Sequence, residues 1–222
     1  MRLAASLTIA ALALAALAPG ARAQAPDSVP VFEQTEVMVP MRDGVRLHTL
    51  VFAPKGATEP LPLLLTRTPY GIEGSLKRIG RSYAELARDG YVFVFQDIRG
   101  RFGSEGRFLM NRPLHDPADS AGVDETTDTY DTVEWLVRNV PNTTGTVGVL
   151  GISYPGWLAA MAGINPHPAV KAISPQAPMT DTWMGDEVGP ARGAAGEEAG
   201  EAGERPLRQI PVVRVVSAGR RR

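Results

Sequence analysis

The sequence predicts an α/β fold, a mostly parallel sheet with helices on its flanks. Residues 61–68 form a nearly continuous apolar run, the pattern of a strand covered by helices on both faces. Runs of this kind alternate with segments of helical period along much of the chain. At residues 147–152 an apolar, β-branched run meets a small-residue turn that leads directly into the apolar segment 158–164. Strand, tight turn and helix thus follow one another around Ser153.

Composition excludes several functions. The 222 residues carry a net charge of −1, with 44% hydrophobic and 21% charged residues, so no nucleic-acid partner is expected. Cysteine is absent, which removes disulfides and thiolate metal sites. Arg2, the apolar run 3–18 and Ala21-Arg22-Ala23 are the three parts of an export signal. The run falls short of the ~20 residues that span a bilayer. The mature chain is therefore expected to start at Gln24, secreted or periplasmic, with no membrane contact after cleavage.

Residues 24–36 read as a polar, proline-containing arm. Short strands over 37–40 and 45–53 flank Met41-Arg42-Asp43-Gly44, whose Asp-Gly pair supplies a hairpin turn. The run 61–68, interrupted only by Pro62, ends in Arg67-Thr68-Pro69-Tyr70-Gly71. Ile79, Tyr83, Leu86 and Ala87 recur at helical spacing, and Asp89-Gly90 ends that helix. A buried strand over 91–96 runs into the glycine-rich loop 97–106, which lacks the G-K-[ST] of a phosphate cradle. Asp97 and Arg99 there read as structural partners, because carboxylate and guanidinium readily pair. His115 lies near Asp116 and Asp119, but without the ligand spacing of a metal site. A helix over 124–140 has an acidic first turn and an apolar face of Tyr130, Val133, Leu136, Val137 and Val140. Residues 169–174 give a further parallel strand, so about six strands precede Asp186.

The turn places Ser153 at a sharp bend, with Gly151 and Gly156 lacking the side chains that would crowd it. Pro155 is tolerated in a first helical turn, where its missing N–H has no partner to lose. Ser153 reads either as a nucleophile facing a helix N-terminus or as a serine that caps a helix after a core strand.

Gly151-x-Ser153-Tyr154-x-Gly156 resembles the nucleophile elbow of the X-Pro dipeptidyl-peptidase-like hydrolases, the group of the CocE/NonD hydrolases, cocaine esterase and the α-amino-acid ester hydrolases. The loop Asp97-x-Arg99-Gly100-x-x-x-Ser104-x-Gly106 and the segment 177–186 are similar to that group as well. The resemblance implies an α/β-hydrolase fold and acyl transfer on small ester, amide or peptide substrates, with no cofactor or metal. It implies Ser153 as nucleophile, and the Tyr70 hydroxyl with the Tyr154 N–H as oxyanion donors. Without the elbow downstream, Tyr70 reads as a packed loop aromatic. Asp186 and Glu187 fall where some α-amino-acid ester hydrolases bind an ammonium group, and otherwise read as a solvated acidic pair.

The expected organisation is a signal over 1–23, an arm over 24–36, a partial α/β-hydrolase domain over 37–186 and a low-complexity tail over 187–222. The tail is almost all Gly, Ala, Glu, Pro and Arg up to residue 205, which points to a frame shift or truncation near codon 187 with the last strands missing. A triad of this fold takes its acid and then its histidine after the serine. The sole histidine after Ser153 is His167, and a helix rising 1.5 Å per residue would carry it ~15–20 Å away. The chain is thus expected to be inactive as encoded. The alternative is a secreted binding protein that keeps the sheet without the chemistry.

Overall fold

A computed structural model describes residues 28–116 and 118–179. The expected signal, the whole of the expected tail and the pair Asp186 and Glu187 lie outside the described residues.

The sheet has six strands among the described residues: β1 (Phe32–Pro40), β2 (Arg46–Pro54), β3 (Leu61–Thr68), β4 (Val92–Asp97), β5 (Thr143–Ile152) and β6 (Val170–Gln176). Their order is β1-β2-β4-β3-β5-β6, with β1, β2 and β4 antiparallel in turn and β4, β3, β5 and β6 parallel. The parallel sheet of an α/β fold is therefore present, opened by the antiparallel hairpin. β1 starts at Phe32, inside the segment expected to be an arm. The polar residues hid this, because β1 is an edge strand paired only with β2 and most of its side chains face water.

Pro62 sits where the β3–β5 register shifts, between Leu61 and Leu63. Without an N–H it cannot continue a ladder, so the irregularity falls where proline demands it.

Every residue of β4 is buried. Val92 and Val94 face one cluster with Leu63, Leu65, Val147 and Val149, while Phe93 and Phe95 face a second with Phe52, Ile72 and Ile79. The first cluster is closed by α3 (Glu125–Asn139) and α4 (Tyr154–Met161), the second by α1 (Ser75–Ser82) and α2 (Ala84–Asp89). The single helix expected around Ile79 is thus two. Tyr83 leaves helical backbone geometry (φ −119°) between them and lays its ring parallel to Phe93 and Phe95, at 6.1 and 6.4 Å. Covering two strand aromatics outweighs one broken helical turn.

Helix α3 departs from a simple apolar face. Val133 and Leu136 are buried, but Tyr130 is 37% exposed, and Thr126, Thr127, Thr129 and Thr132 line the buried first half.

Candidate active site

β5 ends at Ile152 and α4 begins at Tyr154, so Ser153 alone makes the bend. Its φ is 63° and its ψ −125°, a conformation that a residue with a Cβ adopts only under strain. The two flanking glycines are obligatory. A Cβ on Gly151 would lie 2.1 Å from the Pro155 carbonyl oxygen, and one on Gly156 2.3 Å from that of Gln176. The Ser153 N–H donates to the Gln176 carbonyl (3.0 Å), tying the bend to β6. Pro155 occupies the first turn of α4, as the sequence predicts. Ser153 makes no side-chain cap bond, which removes the simplest reason for a serine at this position.

Tyr154, the first residue of α4, offers a backbone N–H that has no intrahelical acceptor. Its ring is buried and stands edge-on to those of Trp157 (5.3 Å) and Tyr70 (6.4 Å). Burial pushes its phenol above the ordinary value, although the Asn111 N–H that the oxygen accepts, at 2.9 Å, works against that. Tyr70 is 62% exposed, and its backbone N–H is fixed by Thr68 Oγ1 (3.1 Å). Ser153, Tyr154 and Tyr70 are thereby brought to one edge of the sheet. A trough of about 970 Å³ runs along the sheet, lined by Tyr70, Gly151 and Ile152 and also by Leu64, Gly148 and Tyr83, but not by Ser153 or Tyr154.

Asp97 and Arg99 do not pair with each other. Arg99 lies between two carboxylates, donating from Nη1 to Asp43 (2.6 Å) and from Nη2 to Asp128 (2.6 Å). Asp97 accepts from His48 Nδ1 (2.9 Å) and the Gly103 N–H (3.3 Å). Both are structural, but each has a partner far away in sequence, which adjacency could not reveal. His48 also meets Glu36 through Nε2 (2.8 Å). Burial disfavours the charged ring, and the two carboxylate bonds outweigh it, so His48 titrates above its ordinary value.

The other histidines are equally engaged. His115 meets Asp124, not Asp116 or Asp119: its ring Nδ1 and its backbone N–H both lie on Asp124 Oδ2 (2.7 and 2.9 Å). His167 accepts the Ala169 N–H at Nδ1 (3.0 Å), so its Nε2 carries the proton and donates to Glu134 (2.6 Å). All three histidines of the chain thus lie against carboxylates, and none of the described hydrogen bonds joins one to Ser153.

Sequence reasoning missed the buried network behind Tyr70. Arg67 is 1% exposed; it donates from Nε to Gln96 (2.8 Å) and from Nη1 to Thr129 (2.8 Å), and stands 3.0 Å from Glu125. Burial pushes the Glu125 carboxyl upward against the pull of Arg67. The available signal was the threonine-rich first half of α3, too polar for a helix that packs on a sheet unless polar groups await it there. Among the described residues no His, Asp or Glu cluster suited to a metal ion occurs.

A family model described as X-Pro dipeptidyl-peptidase (S15 family) matches residues 43–204, past residue 187 where the composition changes. Cocaine esterase of Rhodococcus sp. (strain MB1 Bresler) is 38% identical over 170 residues, 74% of this chain and 27% of that relative. An aminopeptidase from a marine sediment Thaumarchaeota archaeon is 44% identical with a TM-score of 0.65, over 71% of this chain and 27% of its own. An α-amino acid ester hydrolase is 43% identical at the same TM-score, over 77% and 30%. The chain thus spans less than a third of the length of these relatives. The strained serine between two glycines, the sheet order and the matched segment together place this chain in the X-Pro dipeptidyl-peptidase (S15) family, with an α/β-hydrolase fold.

Proposed function

We propose that Ser153 is the nucleophile of an acyl-transfer site for esters or amides, with the Tyr154 N–H and the Tyr70 hydroxyl facing the developing oxyanion. The observation that carries this reading is the strained backbone at Ser153, enforced by Gly151 and Gly156 and unrelieved by any cap bond. The relatives bear the names of an esterase, an ester hydrolase and an aminopeptidase, in keeping with a carbonyl substrate. Ser153 attacks the carbonyl carbon, its proton passes to a base, and the carbonyl oxygen takes the negative charge toward the two donors.

The base is the weak link. Each histidine of this chain is held by a carboxylate elsewhere, and loss of a triad base costs on the order of 10⁶ in turnover in a serine protease. The 222-residue chain is therefore expected to hydrolyse an activated ester at trace rates at most, with Ser153→Ala little different. Robust hydrolysis that disappears in Ser153→Ala would overturn the missing base.

The nucleophile position has its own test, because the chain contains no cysteine. Ser153→Cys introduces a single thiol whose alkylation rate against pH reads the field at the bend. A helix N-terminus and convergent donors bring the thiol below its ordinary pKa of about 8.5. A thiol titrating at or above that value favours a binding protein that keeps the fold without the chemistry. For the N-terminus, the proposal is export with removal of residues 1–23, and secreted material whose mass begins at Met1 would contradict it.

A further inference from the structure

We propose that residues 98–115 form a strap whose hold on the Tyr154 phenol positions the Tyr154 peptide, and so sets the donor geometry beside Ser153. The catalytic meaning rests on the function proposed above; the mechanical coupling does not.

The strap contains no helix or strand, and both of its limbs are pinned. Near its start, the Ile98 N–H donates to the Thr68 carbonyl (3.1 Å) and the Glu105 N–H to the Arg46 carbonyl (3.0 Å), while Gly100 closes the strap on itself: its N–H donates to the Glu105 carbonyl (2.8 Å), and a Cβ there would sit 2.0 Å from the Phe108 nitrogen. Backbone lies directly on backbone there. At its end, the backbone and ring of His115 both grip Asp124. Between the two pins, the described polar contact to the elbow is the Asn111 N–H donating to the Tyr154 phenol at 2.9 Å. Asn111 has φ 47°, a left-handed conformation that Asn tolerates better than most side chains. Phe108 packs against the cluster that Tyr154 forms with Ile98, Trp157, Leu158 and Met161.

Tyr154 is built to transmit whatever the strap does. It is 6% exposed, its ring is caught edge-on between Tyr70 and Trp157, and it is the first residue of α4. A ring confined on two sides and bonded at its tip leaves its own peptide little freedom. The surroundings are polar: Asn111 Oδ1 and Arg112 Nε are buried without a hydrogen-bond partner among the described residues, and Glu125 Oε2 is buried in its ion pair with Arg67 (3.0 Å). The charges of Glu125 and Arg112 act on the phenol, so all these groups belong to one neighbourhood. Loss of the phenol oxygen would leave the Asn111 N–H without the acceptor that the described bond gives it. Were Tyr154 a mere space-filler, losing its oxygen would be felt through general packing.

Amide hydrogen exchange on the full chain decides between the two. Tyr154→Phe removes the phenol oxygen and keeps the ring and the backbone N–H. The expected result is exchange faster by about tenfold at the Trp157 amide, which donates to the carbonyl of the Ser153–Tyr154 peptide (3.0 Å), and at 107–115, the scale of one lost buried hydrogen bond, with β3, β4 and α3 unchanged. Trypsin should cut after Arg107 faster in parallel. Acceleration spread evenly over the protein, or none at Trp157, overturns the proposal. Asn111→Ala, which strains φ 47° without touching Tyr154, should raise exchange at the Trp157 amide, whereas Asn111→Gly, which keeps both donor and conformation, should not. A Trp157 amide indifferent to Asn111→Ala overturns the coupling even if Tyr154→Phe fails to fold. An unshifted thiol in Ser153→Cys together with the expected exchange pattern upholds the coupling and removes only its catalytic meaning.

Discussion

On the hairpin side of the sheet, β1 to β4, their turns and α3 spend charges on one another: Arg99 lies between Asp43 and Asp128, Arg67 meets Glu125, and His48 meets Asp97 and Glu36. On the elbow side, residues 143–161 contain no charged side chain at all, though they carry Ser153. One side is locked by long-range ion pairs, the other by glycines, a proline and backbone contacts. The difference teaches that, under the proposed function, polarisation of a substrate at Ser153 falls to peptide dipoles and to groups brought in by other segments. The histidines that could have served there are committed to the locked side and to the far ends of α3 and α4.

The sharpest way to break this comparison is Arg99→Ala. It leaves Asp128 buried with Arg67, 3.8 Å away, in place of its close Arg99 partner, and removing one member of a buried pair costs about 3–5 kcal/mol. Chemical denaturation should show this loss, and a variant within 1 kcal/mol of the parent, roughly, would mean that the locked side is not held by its charges. On the elbow side, Gly156→Ala drives a methyl group against the Gln176 carbonyl, and overpacking of this kind costs about 1–3 kcal/mol. Its signature should be local, with the Ser153 amide losing protection as its bond to Gln176 is displaced.

Strain offers the opposite sign. Ser153→Gly removes the Cβ that makes φ 63° unfavourable, so stability should rise by about 1 kcal/mol, or roughly 2–4 °C in Tm for a chain of this size. An unchanged or lower Tm would show that the bend is not strained.

The smallest effect is a pH dependence at Asp124, which caps α3. Burial pushes its carboxyl up, but bonds from Thr126, Thr127 and His115 prevail and bring it down to about 2. A carboxyl lowered from 3.8 stabilises the fold fully above that value and loses its contribution as the pH falls toward 2. The parent should therefore lose its stability advantage over Asp124→Asn between about pH 4 and pH 2, because the amide still caps but cannot titrate. Parallel curves for the two proteins across that range would remove Asp124 from the balance.

Local chemistry made much of the fold legible. Apolar runs located the six described strands, and Asp43-Gly44 located the hairpin turn, with Gly44 at φ 84° as such a turn requires. Where a side chain answered to a distant partner, the sequence misled. Tyr83 broke a helix to reach Phe93 and Phe95, and the polar strand from Phe32 formed because β2 was there to pair with it.

The same division holds for the site. Sequence by itself determined the bend, since Gly151, Ser153 and Pro155 satisfy steric demands that arise within a few residues of backbone, whereas Gly156 answers to the Gln176 carbonyl on β6. It also determined that three histidines exist. Only the tertiary structure decided where they went, which acids hold Arg67 and Arg99, and that Asn111 reaches the Tyr154 phenol across 43 positions of sequence. The physical reason is range. Backbone sterics are settled between neighbours, whereas a charge or a buried hydroxyl takes whichever partner the packed chain delivers, and no spacing in one sequence records that choice.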